Sequence, residues 1–287
     1  MTAARLGVPS ELAAGRRAPL GGENFPVALG VLPTHLRRHL LAVYRYARYV
    51  DDLGDLASGD RVLLLREVAA DVRRLYEHGE VRDPVVAGLS DTVRQCGVPL
   101  DPLDRLVQAN LKDQRVSRYA TFAELRDYCR LSADPVGEIV LHVFGRATAD
   151  RVALSDRICT ALQLLEHWQD VGEDFAMGRV YLPQADLHRF EVTEAELGAP
   201  VAGEALRALI AFETERALAW LDAGCVLVST LRGWSRLAVS AYVAGGRAAA
   251  YRLRAVDYDP LRDPAAVKPR KRDVAACWLE GVVRWAG

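Results

Sequence analysis

The sequence lacks any apolar run long enough to cross a membrane as a helix. Such a crossing needs about 18 apolar residues in succession. The longest candidate, ALAWLDAGCVLVSTL at 217–231, is shorter and contains Asp222. Residues 1–22, MTAARLGVPSELAAGRRAPLGG, also lack the continuous apolar core of a signal peptide. We therefore expect a protein that is not exported and that is soluble, or at most peripheral to a membrane.

Paired cysteines and an excess of positive charge are also missing. The five cysteines, at 96, 129, 159, 225 and 277, are scattered and form no C-x-x-C pair. This usage is typical of reduced thiols in a cytosolic protein and not of a disulfide framework or a zinc site. The 37 Lys and Arg residues nearly balance the 38 Asp and Glu residues. Nucleic acid is therefore not expected as a partner.

Strand-like alternation is scarce, and GRVYLP at 178–183 is one short ambiguous segment. From about residue 34, apolar residues recur at spacings of three and four, which is the pattern of amphipathic helices. Hydrophobic residues make up 51% of the chain, enough for one large core. We predict an all-α protein, with a loose leader over 1–22 and one domain over 23–287. The predicted helices lie near 34–57, 60–78, 82–96, 101–115, 121–131, 134–147, 150–176, 203–231, 234–254 and 273–285.

An acidic cluster lies within an otherwise apolar helical segment, QLLEHWQDVGED at 163–174. On a helix, Gln163, Glu166 or His167, Asp170 and Asp174 would share one face. A solvated acidic face explains such a cluster, and so does a metal site. Buried carboxylates without a counter-ion are costly, so either Arg179 or a divalent cation should offset their charge.

A second acidic cluster has the same spacing. In YRYARYVDDLGD, residues 44–55, the side chains of Tyr44, Arg48, Asp51, Asp52 and Asp55 fall at i, i+4, i+7, i+8 and i+11. Two such clusters with apolar flanks favour Mg²⁺, which takes oxygen ligands from carboxylates, waters and substrate phosphates. Facing pairs on two helices could hold several Mg²⁺ ions around a diphosphate. Because histidine is a poor Mg²⁺ ligand, we interpret His167 as a packing or hydrogen-bonding residue.

These two clusters resemble the paired aspartate motifs of the squalene/phytoene synthase family, the head-to-head prenyl synthases. The 44–55 residues match the first motif, and in QDVGEDFAMGRVYLP (169–183) the residues Asp170, Asp174, Arg179 and Tyr181 match the second. Similarity continues through 113–140, with Asp113, Tyr-Cys at 128–129 and Val-Gly at 136–137. It extends to Tyr251 and the basic run KPRKR at 268–272. The resemblance covers about 23–285.

Three features are most similar to the bacterial hydroxysqualene synthase branch of hopanoid and squalene biosynthesis: ENFPVALGVLP at 23–33, SADPVG at 132–137, and the DYDPL…VKPRKR ending. The resemblance implies a helical bundle of the isoprenoid (terpenoid) synthase type with a central active-site cavity. It implies Mg²⁺-dependent conversion of presqualene diphosphate and water to hydroxysqualene and diphosphate, without NADPH. The alternatives are a condensing enzyme that makes presqualene diphosphate or phytoene, and a non-catalytic assembly factor. The assembly factor would be expected to have eroded motifs, whereas both motifs here keep their acids.

The resemblance also implies a role for each matched residue. The implied metal ligands are Asp51, Asp52, Asp55, Gln163, Glu166, Asp170 and Asp174. Arg48 and Arg179 are implied to bind the diphosphate, and the implied catalytic residues are Tyr44, Arg48, Asp113, Tyr181 and Tyr251. Asn24, Phe25, Val136 and Gly137 are implied to line the cavity, although helix packing explains Gly137 and a salt bridge explains Asp113 equally simply. Glu166 departs from the family, which usually has asparagine there; it can ligate Mg²⁺ or pair with an arginine.

The implied partner is a prenyl diphosphate lipid, handed over by a presqualene diphosphate synthase. The KPRKR run could contact that diphosphate, contact an anionic membrane surface, or form a solvated basic turn. We therefore expect a cytoplasmic protein that can make peripheral contact with the inner face of the membrane.

Overall fold

The computed structural model describes residues 30–77 and 81–286, and these form helices joined by short connections. Among them, β pairing is limited to an isolated bridge between Arg118 and Val180. Val180 belongs to the ambiguous segment 178–183. The all-α prediction is confirmed. Within the same residues, no helix combines the length and the apolar character that crossing a membrane requires. The α-helices are α1 (Thr34–Asp55), α2 (Arg61–Glu77), α3 (Pro84–Ala87), α4 (Ser90–Cys96), α5 (Leu100–Asp113), α6 (Phe122–Ser132), α7 (Asp134–Val143), α8 (Ala149–Gln169), α9 (Val171–Ala176), α10 (Gln184–Arg189), α11 (Glu204–Gly224), α12 (Val226–Thr230), α13 (Gly233–Ala255) and α14 (Lys271–Ala286), and a 3-10 helix spans Glu194–Gly198.

Three predicted helices are interrupted in the structure. The segment 82–96 divides into α3 and α4, 150–176 divides at Asp170, and 203–231 divides at Cys225. Apolar periodicity continues through these points because the residues on both sides still face the core, so spacing alone does not reveal the break. The short α10 was not predicted. Capping explains where α3 begins, since the Asp83 carboxylate accepts hydrogen bonds from the Val85 and Val86 amides.

The chain divides into two compact units. The first contains the described residues up to Val116 together with 135–148, and the second contains 117–134 and the residues from Ala149 onward. The predicted single domain over 23–287 stays a prediction. The predicted leader over 1–22 and the cavity residues Asn24 and Phe25 lie outside the described residues.

The first unit is built on the packing of α1 against α2 and α5. Val43, Val50 and Val107 are among its fully buried side chains. The Tyr46 hydroxyl donates to the Leu103 carbonyl oxygen at 2.9 Å, which satisfies the polar atom of a buried ring. Because one apolar stripe of α1 is used for the core, the acidic cluster occupies a different stripe of the same helix.

The second unit is built mainly on α8, α11, α13 and α14. Leu164, Leu165 and Trp168 of α8 are fully buried, and each contributes about 1.5–3 kcal/mol through the apolar surface it removes from water. The Trp168 indole donates to the Glu213 carbonyl oxygen at 3.2 Å. This packing fixes the C-terminal end of α8, from which the second acidic cluster projects.

A buried group of ions lies on α10 and α11. Nη1 of Arg216 lies 2.8 Å from Asp186 Oδ2 and 2.9 Å from Glu213 Oε1, so one guanidinium serves two carboxylates. Glu213 is fully buried, and burial raises its pKa to about 8 although Arg216 acts in the opposite direction. The raised pKa means that Glu213 retains a proton at neutral pH, which leaves one buried negative charge for one arginine.

Candidate functional site

The first acidic cluster lies in the last turns of α1. Asp51 and Asp52 are half-buried, Asp55 is exposed, and Arg48 Nη2 lies 3.6 Å from Asp52 Oδ1. Within the part of the chain that the structure describes, the last turn of α1 contains no basic residue. These carboxylates therefore occupy the negative end of the helix dipole, where negative charge is unfavourable. A cation bound there would relieve this repulsion.

Asp51 is held by α5, through a residue that sequence reasoning missed. Asn110 is buried, and its Nδ2 donates to Asp51 Oδ1 at 3.0 Å. Gln114, one turn further on, donates from Nε2 to the Gly54 carbonyl oxygen at 3.0 Å. A Cβ atom at Gly54 would clash with Asn110 Oδ1 and would lie 3.1 Å from its Cγ. The sequence signal that could have revealed this contact is the pair of side-chain amides, Asn110 and Gln114, four residues apart on a helix with an apolar face.

Replacement of Gly54 by alanine is expected to lower the free energy of unfolding by about 1–3 kcal/mol, because the new methyl group overpacks Asn110. Alanine normally favours a helix interior over glycine by about 1 kcal/mol. In an Asn110→Ala background the clash is removed, so the same substitution should then be neutral or stabilising. Urea unfolding of the four proteins measures both effects. An equal cost in both backgrounds would contradict this close approach.

The second acidic cluster lies where α8 gives way to α9. Asp170 sits at the break with φ −103° and ψ 13°, so the predicted continuous helix is wrong at this residue. The Asp170 amide still donates to the Glu166 carbonyl at 2.9 Å, and the Asp174 amide donates to the Asp170 carbonyl at 2.8 Å. Asp170 and Asp174 are half-buried, whereas Glu166 is exposed. The break re-aims Asp174 relative to the face expected from a straight helix.

His167 connects two predicted metal ligands. Its Nε2 lies 3.2 Å from Gln163 Nε2, and its Nδ1 lies 3.5 Å from Asp174 Oδ2. Its ring stacks on Tyr181, with ring centroids 3.6 Å apart and an angle of 15° between the planes. The interpretation of His167 as a packing and hydrogen-bonding residue is confirmed. Gln163 Oε1 already accepts a hydrogen bond from Ser132 Oγ at 2.8 Å.

A small cleft in the second unit brings several predicted residues together. It is partly open to solvent and has a cavity volume of only about 10 Å³, and His167, Asp174, Arg179 and Tyr181 are among its lining residues. This is about the space that one water molecule needs, and it is far smaller than a pocket that encloses a drug-sized ligand. The cleft therefore suits a small polar group better than the hydrocarbon of a long lipid.

Tyrosine rings form one wall beside this cleft. The ring of Tyr181 stacks on Tyr119 with centroids 5.8 Å apart, and lies 5.7 Å from that of Tyr128. All three rings are buried. Stacked and tilted contacts of this kind stabilise the three rings against one another and make this wall rigid. Sequence reasoning named Tyr181 as catalytic, noted Tyr128 in a motif, and gave Tyr119 no role.

The remaining predicted residues are described by their burial and by the helix in which they lie. In the first unit, Tyr44 and Val136 are half-buried, Gly137 is buried in α7, and Asp113 is half-buried at the end of α5. In the second unit, Tyr251 on α13 is 55% exposed. Their assigned roles stay predictions, as do those of Asn24 and Phe25.

The donor set of the acidic clusters fits a hard divalent cation. Within the described residues no hydrogen-bond donor reaches Asp174 Oδ2, although this atom is buried. The 3.5 Å separation from His167 exceeds an ordinary N–H···O bond, so a cation would satisfy this oxygen better. Across residues 30–77 and 81–286, no three His, Cys, Asp or Glu side chains form a metal-binding group. Mg²⁺ commonly uses only one or two carboxylates, with waters and substrate phosphates completing the shell.

Comparisons with known proteins identify the family and the fold. The profile of the family described as squalene/phytoene synthase matches residues 18–273. The chain is 34% identical to a hydroxysqualene synthase from Sinorhizobium fredii, over 86% of this chain and 84% of that protein. It is 31% identical to a presqualene diphosphate synthase from Rhodopseudomonas palustris, over 69% and 71%. The crystal structure of squalene synthase HpnC from Alicyclobacillus acidocaldarius aligns with a TM-score of 0.78 and 41% identity, over 88% of this chain and 97% of that one. The isoprenoid synthase type of fold is confirmed.

Proposed function

The chain belongs to the squalene/phytoene synthase family, and we propose that it is a hydroxysqualene synthase, which converts presqualene diphosphate and water to hydroxysqualene and diphosphate. The observation that carries the proposal is the second acidic cluster, where Asp174, Arg179, His167 and Tyr181 line one cleft. A carboxylate, a guanidinium and stacked aromatic rings in one place suit a reaction that releases diphosphate and leaves a carbocation. The similarity to a hydroxysqualene synthase over most of both chains supports this choice.

The carboxylates and the arginine would act on the leaving group. Asp51, Asp55, Asp170 and Asp174 would hold Mg²⁺, with Asp52, Gln163 and Glu166 as further candidate ligands. When bound, Mg²⁺ supplies Lewis-acid neutralisation of the diphosphate charge. Arg179, and Arg48 in the first unit, would donate charge-assisted hydrogen bonds to the diphosphate oxygens. The carbon–oxygen bond to diphosphate breaks, and the electron pair leaves with the diphosphate.

The aromatic wall would act on the cation that remains. Stacking on His167 and on Tyr119 holds the Tyr181 ring in a fixed position at the cleft, where it would line the space in which the cation forms. After the cation rearranges, a water oxygen bonds to carbon, and one proton passes to solvent. Exclusion of other water protects the cation until that step. Supply of presqualene diphosphate by a separate synthase, and contact with the inner membrane face, belong to the same proposal.

A second candidate function is head-to-head condensation of two prenyl diphosphates. It is favoured by the similarity to a presqualene diphosphate synthase and to the squalene synthase HpnC, and it would use the same acids. Purified protein with Mg²⁺ should be given presqualene diphosphate or farnesyl diphosphate in separate reactions, and the lipid extracts analysed. We expect hydroxysqualene in the reaction with presqualene diphosphate and no product in the reaction with farnesyl diphosphate. Turnover of farnesyl diphosphate to a condensed product would replace the proposal with the second candidate.

A further inference from the structure

Two neighbouring side chains at the α8–α9 break contact two neighbouring residues far along the chain. Gln169 Nε2 donates to the Val267 carbonyl oxygen, and Lys268 Nζ donates to Asp170 Oδ1. All four residues belong to the second unit. A cation from the basic run KPRKR therefore already sits on one of the predicted metal ligands.

The backbone around Lys268 is firmly held. Arg252 Nε donates to the Ala266 carbonyl oxygen at 2.8 Å, and the Val267 side chain is fully buried. The Arg270 amide donates to Asp273 Oδ2 at 3.0 Å, and Asp273 is itself buried at the start of α14. These anchors deliver the ammonium to Asp170 from a fixed position, unlike an ion pair between two mobile surface side chains.

The ion pair is unevenly buried. The Asp170 side chain is 20% exposed, whereas that of Lys268 is 41% exposed. A carboxylate this far from solvent needs a counter-ion, while the lysine can reach water by rotating its flexible stem. An ammonium and a divalent cation at the same carboxylate oxygen would repel each other strongly. Lys268 must therefore leave Asp170, or shift on it, before a metal ion can bind there fully.

We propose that Lys268 is the counter-ion of Asp170 until diphosphate binds, and that it makes the binding of metal and of diphosphate interdependent. This inference rests on the proposed function, because it takes Asp170 to be a metal ligand. In the absence of diphosphate, the ammonium opposes the metal. A bound diphosphate offers the ammonium another anion, so Asp170 becomes available. By linkage, diphosphate raises the affinity for metal by the same factor that metal raises the affinity for diphosphate.

Metal binding by the whole protein tests this directly, without turnover. Mn²⁺ takes the same oxygen ligands as Mg²⁺ and is visible by electron paramagnetic resonance. Wild type, Lys268→Gln and Lys271→Gln would each be titrated with Mn²⁺, with and without inorganic diphosphate. Lys271 is exposed in the same basic run, so its variant matches the charge change. Lys268→Gln should bind Mn²⁺ alone at least about fivefold more tightly than wild type, the lower end of ordinary coupling. In Lys268→Gln, the increase in Mn²⁺ affinity on adding diphosphate should be smaller than in wild type.

The outcomes separate this inference from the proposed function. Lys268→Arg keeps the charge and should bind Mn²⁺ alone as weakly as wild type. This variant distinguishes the effect of the charge from an effect of altered packing at position 268. Equal Mn²⁺ affinity for Lys268→Gln and wild type, or an equal gain in Lys271→Gln, overturns the inference while leaving the proposed function intact. Wild type that binds no Mn²⁺ even with diphosphate counts against both. If the Mn²⁺ results hold but presqualene diphosphate is not turned over, only the assigned reaction fails.

Discussion

Replacing Asp170 or Asp51 by asparagine is expected to abolish turnover of presqualene diphosphate, a loss of at least about a thousandfold. Asparagine keeps the shape of the side chain but removes the charge that a divalent cation requires. Lewis-acid stabilisation of a departing diphosphate is worth several kcal/mol, and each 1.36 kcal/mol corresponds to about a factor of ten in rate. Single-turnover measurements with saturating Mg²⁺ would report the loss in the chemical step.

Both variants should keep the helical fold. The amide oxygen of an asparagine at position 51 can still accept the hydrogen bond from Asn110 Nδ2. At position 170, the Lys268 ammonium is exposed enough to be hydrated once its carboxylate is gone. Far-ultraviolet circular dichroism and thermal unfolding should therefore remain close to wild type. The loss of activity then reports the missing charge and not a missing fold.

The matched control is Asp91→Asn, which removes an exposed carboxylate whose partner is Arg94. Turnover by this variant should equal that of wild type, because exposed pairs of this kind contribute little. Near-normal activity in Asp51→Asn or in Asp170→Asn would refute the metal role at that position, even if the other variant were inactive.

Most of the helical segments and the presence of both acidic clusters could be predicted from the sequence, because both depend on local spacing. A stripe of apolar residues at helical period fixes the direction in which α1 buries its core face, and hence the direction of Asp51 and Asp55. The break at Asp170 could not be predicted in this way. The apolar pattern runs through it, and the groups that engage the break, the Val267 carbonyl oxygen and the Lys268 side chain, lie nearly a hundred positions away.

Contacts that position the site were also outside the reach of local patterns. Asn110 matters because α5 crosses α1 at Gly54, and neither residue has a special neighbour in its own helix. Likewise, Glu213 and Arg216 are three residues apart on α11 and have the spacing of an ordinary surface ion pair. Only the packing of α10 against them makes the pair a buried group with Asp186. Such features depend on tertiary contacts, which single-sequence spacing does not encode.

That buried group supplies the largest expected effect on stability. Arg216→Met should lower the free energy of unfolding by about 3–5 kcal/mol, because it leaves the buried Asp186 carboxylate without its cation. The guanidinium also lies 4.5 Å from the ring centroid of Phe122 and 4.6 Å from that of Phe212, and these cation–π contacts would be lost as well. Methionine fills a similar volume, so the effect reports charge more than a cavity. Urea unfolding followed by circular dichroism would measure the loss.

The control for Arg216 is Arg94→Met, which makes the same chemical change in another i,i+3 pair. Arg94 and Asp91 are 74% and 64% exposed, so their pair should contribute no more than about 1 kcal/mol. Adding Asp186→Asn to Arg216→Met should recover part of the loss, because a neutral amide does not need the cation that the first substitution removes. A cost for Arg216→Met as small as that of Arg94→Met would contradict the stabilising role assigned to this guanidinium.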